Sequence, residues 1–208
     1  AADRAGARGS AHRHLELAAA LQFEANGPHW LVLCGPPASG KSSLANALHE
    51  LAGWPHVATD VVRKQLAGLD PHEPARPEHY SEAFSRRTYA ALHERAAAAT
   101  AAGAKVVLLD GNFPTPAHRA AVAAAARSSG AAPTFVHVAV DPATAATRAA
   151  ARRRDPANVS DADPAVTAAR HASFVPPLPA EGHAVLAVDG RRPVAAILPD
   201  LLADCLRP

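Results

Sequence analysis

The stretch that decides the fold is Trp30 to Ser42, WLVLCGPPASGKS. Its first five residues form a short unbroken apolar run, which predicts a strand buried on both faces. The rest matches the pattern GxxxxGK[S/T] and leads into a predicted helix over residues 41–51. In that context the glycines let the loop curl so that backbone N–H groups point at phosphate oxygens. The stretch therefore predicts a phosphate-binding loop; the alternative is a plain Gly/Pro turn between a strand and a helix.

The side chains of this loop carry predictions of their own. Lys41 is placed to reach the β- and γ-phosphates of a nucleoside triphosphate, and the Ser42 hydroxyl to ligate Mg²⁺. Pro36 and Pro37 have no N–H, so the start of the cradle offers fewer donors. The loop residues predicted to bind the nucleotide are Gly35, Ala38, Ser39, Gly40, Lys41, Ser42 and Ser43.

Strand and helix signals alternate along the rest of the chain. Further short strands are predicted at residues 57–59, 105–110, 134–140 and 184–188, with helices between them, one of them over residues 78–102. This alternation predicts an α/β fold, a five-stranded parallel sheet with helices on both faces. Residues 1–27 are predicted to form an N-terminal tail, up to about residue 11, and a helix; residues 28–208 are predicted to form one domain.

Composition narrows the class of protein. The 208 residues carry a net charge of +2, and only 4% are aromatic, so a groove for a nucleic acid is not expected. The two cysteines, Cys34 and Cys205, are too far apart for a CxxC or metal motif. No apolar run approaches the roughly 20 residues of a membrane span. We therefore expect a soluble protein of the reduced cytoplasm, with no signal peptide and no membrane contact.

A carboxylate ends the clearest predicted strand. Residues 106–110 read VVLLD, and Gly111 and Asn112 follow. At the carboxyl edge of a parallel sheet, Asp110 would emerge beside the phosphate-binding loop. Asp110 is predicted to hold Mg²⁺ together with Ser42, and Asp110 and Asn112 to border the acceptor of a phosphoryl group. The alternative is that Asp110 only caps a helix or stabilises a turn.

A second carboxylate follows an earlier strand, the one predicted at residues 57–59. Transfer of a phosphoryl group to a hydroxyl needs a carboxylate that takes the hydroxyl proton, and Asp60 is well placed for that role. Arg63 lies one helical turn later and is predicted to contact an anionic or hydroxyl-rich acceptor. The alternative is that Asp60 only caps a short helix. Tyr80, Phe84 and Tyr89 occur at spacings close to those of a helix, so they are expected to pack and not to contact a cofactor.

Arginines mark a predicted lid over about residues 148–163. Arg148 and Arg152 stand four residues apart on one helical face, and the loop DPAN follows. Cationic groups on a lid neutralise the transferred phosphoryl group and exclude water. Arg152 is therefore predicted to be catalytic, with Lys41 and Asp60. The alternative is that these arginines are solvated surface charge.

These motifs resemble the small ATP-binding kinases of the phosphate-loop superfamily, described as AAA-type kinases. Polynucleotide 5′-hydroxyl kinases, zeta toxins and gluconate kinases are similar at a greater distance. The resemblance covers about residues 28–190 and rests on GPPASGKS, TDVVRKQLAG, YSEAFSRRTYAAL, VVLLDGNF and RAAARRRDPANVSDAD. It implies a three-layer kinase fold with a helical lid, ATP as phosphoryl donor, and Mg²⁺.

The resemblance also implies roles for individual residues. Asp60 would be the general base and Arg63 an acceptor contact, as the residues themselves suggest. Arg148 would lie near the adenine and Arg152 near a phosphate. The backbone around Gly190 and Arg191 would border the adenine.

The leading hypothesis is an ATP-dependent kinase that phosphorylates a hydroxyl of a small polar metabolite, such as a sugar, an aminocyclitol or an antibiotic-like compound. Adenylate kinases carry a DGFPR segment, but no arginine follows Pro114 here, so a nucleotide monophosphate is not the expected acceptor. The alternatives are a polynucleotide 5′-hydroxyl kinase and a nucleotide-binding module that transfers nothing. The predicted partners are the small-molecule acceptor and a second copy of the chain in a homodimer.

Overall fold

The computed structural model of the chain describes residues 2–152 and 164–207, with the side chains of residues 10–151 and 167–207. Its five strands form one parallel sheet in the order β2-β3-β1-β4-β5, which confirms the predicted α/β fold. The strands are β1 His29–Cys34, β2 His56–Ala58, β3 Val106–Asp110, β4 Ala132–Ala139 and β5 Ala184–Asp189.

Helices cover both faces of this sheet. Short 3₁₀ helices at Pro77–Tyr80 and Pro179–Glu181 join the longer elements. The α-helices are α1 Ala2–Ala25, α2 Lys41–Ala52, α3 Thr59–Ala67, α4 Glu82–Ala101, α5 Pro116–Ser128, α6 Pro142–Arg152, α7 Pro164–Ala172 and α8 Val194–Cys205. None of the described helices is long and apolar enough to cross a membrane.

Alternation along the central strands builds two apolar layers. Leu31 and Leu33 of β1 face a core shared with α1, α2 and α8, whereas Trp30 and Val32 face a core shared with α4 and α5. All four side chains are fully buried. Because successive strand residues point to opposite faces, one unbroken apolar run supplies both layers.

Two predicted elements differ from the structure. The helix predicted over residues 78–102 is interrupted at Ser81, whose hydroxyl accepts a hydrogen bond from the Phe84 N–H and so begins α4 at Glu82. The segment predicted as a tail before residue 12 continues helix α1 up to Ala2. At the other end of α1, Phe23 is buried in the first apolar layer.

A buried arginine ties the segment between α7 and β5 to the loop after β3. Arg119 of α5 is fully buried, and its Nε and Nη2 donate to the two carboxylate oxygens of Glu181 at 2.8 and 2.6 Å. Its Nη1 donates to the carbonyl oxygens of Phe113 and Val175 at 3.0 and 2.8 Å. The nearest arginine after Pro114 is therefore a structural clamp with all its bonds directed at protein groups.

We expect Glu181→Gln to lower the free energy of unfolding by about 3 kcal/mol, because it leaves the Arg119 charge buried without its counter-ion. Urea unfolding measures this loss. The control is Glu82→Gln, which breaks an exposed pair with Arg86 and should cost less than about 1 kcal/mol. Equal losses in the two variants would contradict the assignment of Arg119 as a clamp.

The same pair gives a pH dependence. The hydrogen bonds from Arg119 hold the pKa of Glu181 below its usual value. A lowered folded-state pKa stabilises the protein above the unfolded-state value of about 4.3, and this contribution is lost as the pH falls toward the lowered pKa. We therefore expect a smaller acid-induced loss of stability in Glu181→Gln than in the wild type, measured by unfolding between pH 3 and 6.

Candidate functional site

The predicted phosphate-binding loop curls between β1 and α2 through three residues of positive φ, the first of which is Gly35 with a φ of 151°. Gly40, directly before α2, has a φ of 105°, and Ala38 has a φ of 62°. A left-handed alanine costs roughly 1 kcal/mol, and such strain is found mostly at functional sites. The Ser39 hydroxyl is buried with no hydrogen-bond partner among the described residues. Lys41 Nζ donates to the Pro36 carbonyl oxygen at 2.9 Å, inside the loop.

The curled loop fits a phosphate group. Its backbone N–H groups lie directly before the N-terminus of α2, where the helix dipole is positive and favours an anion. The Ser39 hydroxyl is buried without a partner among the described residues, and a phosphate oxygen could satisfy it. Gly35, at the start of the loop, donates its N–H to the Asn112 carbonyl oxygen at 3.3 Å. The loop is thus attached to the segment that follows β3.

The segment after β5 lies against the phosphate-binding loop. A Cβ atom on Gly190 would lie 2.3 Å from the Ser39 carbonyl oxygen, so only glycine allows this approach. Arg148 Nη1 donates to the carbonyl oxygens of Gly190 at 2.8 Å and of Ser39 at 3.4 Å. The structure therefore brings Arg148 and Gly190, two of the residues predicted near the adenine, to one place beside the loop.

An open groove of about 400 Å³ lies next to this contact, at the carboxyl ends of β4 and β5. Its lining includes residues 139–141 and 187–189 and Arg191. Arg191 is exposed, and its guanidinium pairs with Asp189, Nη2 to Oδ2 at 2.8 Å. Arg191 thus borders the groove, with its side chain already held by a neighbouring carboxylate.

Asp110 ends β3 beside the ends of β1 and β2, opposite Leu33 and Ala58. It is 5% exposed. Burial acts to raise its pKa, but the neighbouring His56, the charge of Lys41 and the Ser42 hydroxyl outweigh burial and hold the pKa of Asp110 below its usual value. His56 Nε2 lies 3.7 Å from Asp110 Oδ2. Asp110 is therefore ionised at neutral pH, and it caps no helix.

Ser42 and Asp110 fit a magnesium ion of the kind that phosphate-binding loops hold. A hydroxyl and an ionised carboxylate are hard oxygen donors, and Mg²⁺ in such sites takes one or two protein ligands beside phosphate oxygens and water. No group of three or more His, Cys, Asp or Glu side chains that could hold a metal occurs within the described ranges.

Asp60 occupies the first turn of α3, after Ala58 at the N-cap position. The helix begins at Thr59 and Asp60 follows it, so Asp60 is not the N-cap that the alternative interpretation required. Its side chain is half-buried. Burial, and then the neighbouring charge of Asp110, raise the pKa of Asp60 above its usual value. The two aspartates at this edge therefore have pKa values shifted in opposite directions.

Three cations act against that rise: Arg63, Lys41 and Arg170. Arg63 and Arg170 both lower the pKa of Asp60, although less than burial raises it. Arg63 is 7% exposed and its Nη1 donates to the His79 carbonyl oxygen at 2.6 Å. The guanidinium carbons of Arg63 and Arg170 lie 4.6 and 4.7 Å from the centre of the Tyr80 ring.

Sequence reasoning missed the contribution of Arg170, Tyr80 and His56. Arg170 belongs to α7, far along the chain from Asp60, and no local motif marks it. Tyr80 was expected to pack, and its ring instead contacts two guanidinium groups. For His56, the sequence offered one signal of a place near the site: it begins the short strand β2, which ends two residues before Asp60.

The turn after Asp110 is tightly filled. A Cβ atom on Gly111 would lie 2.7 Å from Thr59 Cγ2 and 3.0 Å from Phe113 Cε2. Phe113 is fully buried, with a φ of 43°. Asn112, predicted at the acceptor site, is half-buried between these two residues, and the structure places its backbone against the phosphate-binding loop.

A comparison with protein-family models finds that the AAA domain model matches residues 31–177, more than half of the chain. The chain belongs to the AAA domain family. The matched range includes the phosphate-binding loop, Asp60 and Asp110, and it ends after α7. No protein of curated function matches the sequence.

Solved structures share the fold of this AAA domain at low sequence identity. A gluconokinase from Sinorhizobium meliloti is 21% identical, with 86% of this chain and 91% of that chain covered and a TM-score of 0.61. A sugar kinase from Janibacter sp. is 15% identical, with 84% and 92% covered and a TM-score of 0.62. Kti12 from Chaetomium thermophilum, in complex with ADP–AlF₃, is 15% identical, with 86% and 100% covered and a TM-score of 0.62. These likenesses establish the P-loop kinase fold.

The lid prediction falls largely outside the described residues of this AAA domain. Arg152 is the last residue of α6, and its side chain is outside them, as are residues 153–163. The catalytic role of Arg152 stays a prediction.

In this AAA domain, we expect Gly190→Ala to displace the Ser39 backbone, because a Cβ at 2.3 Å from a carbonyl oxygen cannot be accommodated by a side-chain movement. The free energy of unfolding should fall by about 1–3 kcal/mol, and the affinity for ATP, measured by calorimetry, should fall with it. The control is Gly53→Ala, since Gly53 has a φ of 71° but no atom within 4 Å of a Cβ. That variant should lose stability alone, and an unchanged ATP affinity in Gly190→Ala would contradict the prediction.

Proposed function

We propose that this chain is an ATP-dependent kinase that transfers the γ-phosphoryl group to a hydroxyl of a small polar metabolite, such as a sugar, an aminocyclitol or an antibiotic-like compound. The observation that carries the proposal is the pair of aspartates beside Lys41. Asp110 has a lowered pKa and Asp60 a raised one. Titratable neighbours whose surroundings separate their pKa values in this way are typical of acid–base and metal-binding roles in one site.

On the nucleotide side, the chain would bind ATP through the backbone of residues 35–43. Lys41 would exchange its bond to the Pro36 carbonyl oxygen for one to a phosphate oxygen, and Ser42 and Asp110 would hold Mg²⁺. When bound, Mg²⁺ supplies positive charge that neutralises the phosphoryl oxygens. Arg148 would keep the segment at Gly190 against the phosphate-binding loop. The adenine would lie in the adjacent groove at the carboxyl ends of β4 and β5.

On the acceptor side, Asp60 would accept the proton of the hydroxyl as its oxygen bonds to the γ-phosphorus and the bond to ADP breaks. The proton ends on the Asp60 carboxylate, and the electron pair of the broken bond leaves with ADP. A general base works best when its pKa approaches the working pH, so the raised pKa of Asp60 suits this step. Lys41, and Arg152 from the predicted lid, would neutralise charge on the transferred group.

Besides the aspartate pair, the comparisons with solved structures support the kinase proposal. Two of the solved structures with this fold are a gluconokinase and a sugar kinase, and a third contains ADP–AlF₃. The kinase proposal nevertheless depends on the residues of this chain, because the sequence identities to those three structures are at most 21%.

Location and assembly belong to the same proposal. Cys34 and Cys205 are both free thiols, which suits a reduced cytoplasm. A homodimer stays a prediction that sedimentation would test.

We expect Asp60→Asn to lower kcat by about 10²- to 10⁴-fold, because the amide cannot accept the hydroxyl proton. ATP affinity, measured by calorimetry, should change little. ADP release over a panel of hydroxylated metabolites measures turnover, and Asp200→Asn, an exposed carboxylate paired with Arg192, is the control.

The alternatives correspond to other results of that assay. A nucleotide-binding module that transfers nothing would bind ATP and release no acceptor-dependent ADP. A polynucleotide kinase would act on a 5′-hydroxyl oligonucleotide, with a KM that rises steeply with salt. Equal phosphorylation by the wild type and Asp60→Asn would contradict the assignment of the base.

The pH profile tests the same carboxylate. Because the reaction needs Asp60 deprotonated and its pKa is raised, kcat should fall on the acid side at a pH above the ordinary aspartate value of about 3.9. The residual kcat of Asp60→Asn should lack this acid limb. Asp110, whose pKa is lowered, stays ionised throughout that range. A limb that persists unchanged in the variant would assign it to another group.

A further inference from the structure

We propose that the acceptor carries an anionic oxygen group, a carboxylate or a phosphate, and that Arg63 and Arg170 bind this group beside the Tyr80 ring. The inference rests on the proposed kinase function, since it names the class of molecule that the Asp60 side of the site takes. It is argued from three elements that meet there: α3, the 3₁₀ helix Pro77–Tyr80, and α7.

The first observation is the arrangement of the two guanidinium groups. Arg63 and Arg170 come from different helices, yet each lies less than 5 Å from the centre of the same aromatic ring. Contact with the Tyr80 ring restrains each guanidinium group and so limits the directions of its N–H donors in advance. A restrained guanidinium fork suits the paired oxygens of a carboxylate or phosphate.

The second observation is an unsatisfied donor. Only 7% of the Arg63 surface is exposed. Its Nε has no hydrogen-bond partner in the part of the chain that the structure describes. Its Nη1 is bound, to the His79 carbonyl oxygen at 2.6 Å and the Ser85 hydroxyl at 3.5 Å. Buried donors in proteins are nearly always paired, so a buried guanidinium with an open donor is evidence for a ligand oxygen.

The third observation is the balance of charge. Lys41 and Asp110 belong to the nucleotide side, which leaves Arg63 and Arg170 to face the single carboxylate of Asp60. None of the ion pairs found within residues 10–151 and 167–207 involves either arginine. Among the described residues, one positive charge therefore remains on the acceptor side, and a neutral sugar would leave it without a counter-ion from that part of the chain.

A carboxylate and a phosphate share this chemistry, and matched acceptors separate them. The experiment measures ADP release with gluconate, glucose 6-phosphate and glucose, which share hydroxyl groups and differ in charge. We expect kcat/KM for at least one of the two anions to exceed that for glucose by tenfold or more. The better of the two anions identifies the group that the site takes.

Variants of Arg170 locate the effect. Arg170→Gln removes the charge, and we expect it to raise the KM for the preferred anion by roughly ten- to a hundredfold, the usual range for one charge-assisted hydrogen bond. Arg170→Lys should recover part of the loss. A purely structural role would change kcat or stability without a selective change in KM. The control is Arg86→Gln, an exposed arginine on α4 paired with Glu82.

Calorimetry with gluconate and glucose 6-phosphate, on the wild type and Arg170→Gln, separates this inference from the kinase proposal. Binding to the wild type, weakened in the variant, with no phosphorylation of any acceptor, supports the anion site and overturns the kinase. Phosphorylation of glucose, with neither anion bound nor phosphorylated, overturns the anion site and leaves the kinase. An Arg170→Gln effect that is equal for glucose and the anions also overturns the anion site.

Discussion

The structure depends on the parallel pairing of β1 with β3 on one side and β4 on the other. In this register Leu33 stands opposite Asp110, and Asp110 stands opposite Ala58 at the end of β2. Three chain segments therefore leave the sheet at the same edge: the phosphate-binding loop, the turn after Asp110, and the helix that carries Asp60. Because neighbouring strands are only about 4.8 Å apart, groups that are distant in sequence become direct neighbours.

Burial at that edge gives the neighbours their chemistry. In a dry site a carboxylate is destabilised unless opposite charge or hydrogen bonds compensate it. Asp110 has that compensation from His56, Lys41 and Ser42, whereas Asp60 is left with a raised pKa. The same fold thus supplies one carboxylate suited to a cation and one suited to a proton. Arg119 is also buried, but four hydrogen bonds to Glu181 and to carbonyl oxygens of the protein occupy most of its five N–H donors, which suits a structural role.

Prediction from the sequence succeeded where the signal is local. The apolar run before Gly35 and the VVLLD run marked the central strands, and the loop pattern marked the turn between β1 and α2. It failed at Ser81, where a single side-chain cap interrupts a helix whose composition is helical throughout. It also could not place Arg170 or Tyr80, since their contacts join residues about ninety positions apart.

The sequence by itself determined the order of strands and helices, the phosphate-binding loop, and Asp60, Arg63 and Asp110 as the charged residues to examine. These follow from periodicity and from short motifs, which depend only on neighbours along the chain. The tertiary structure alone decided that the pKa of Asp60 rises and that of Asp110 falls. It also decided that Arg148 bonds to Gly190 and that Arg63 and Arg170 both contact the Tyr80 ring. Each of these depends on burial and on contacts between distant segments, and the chain acquires both only when it folds.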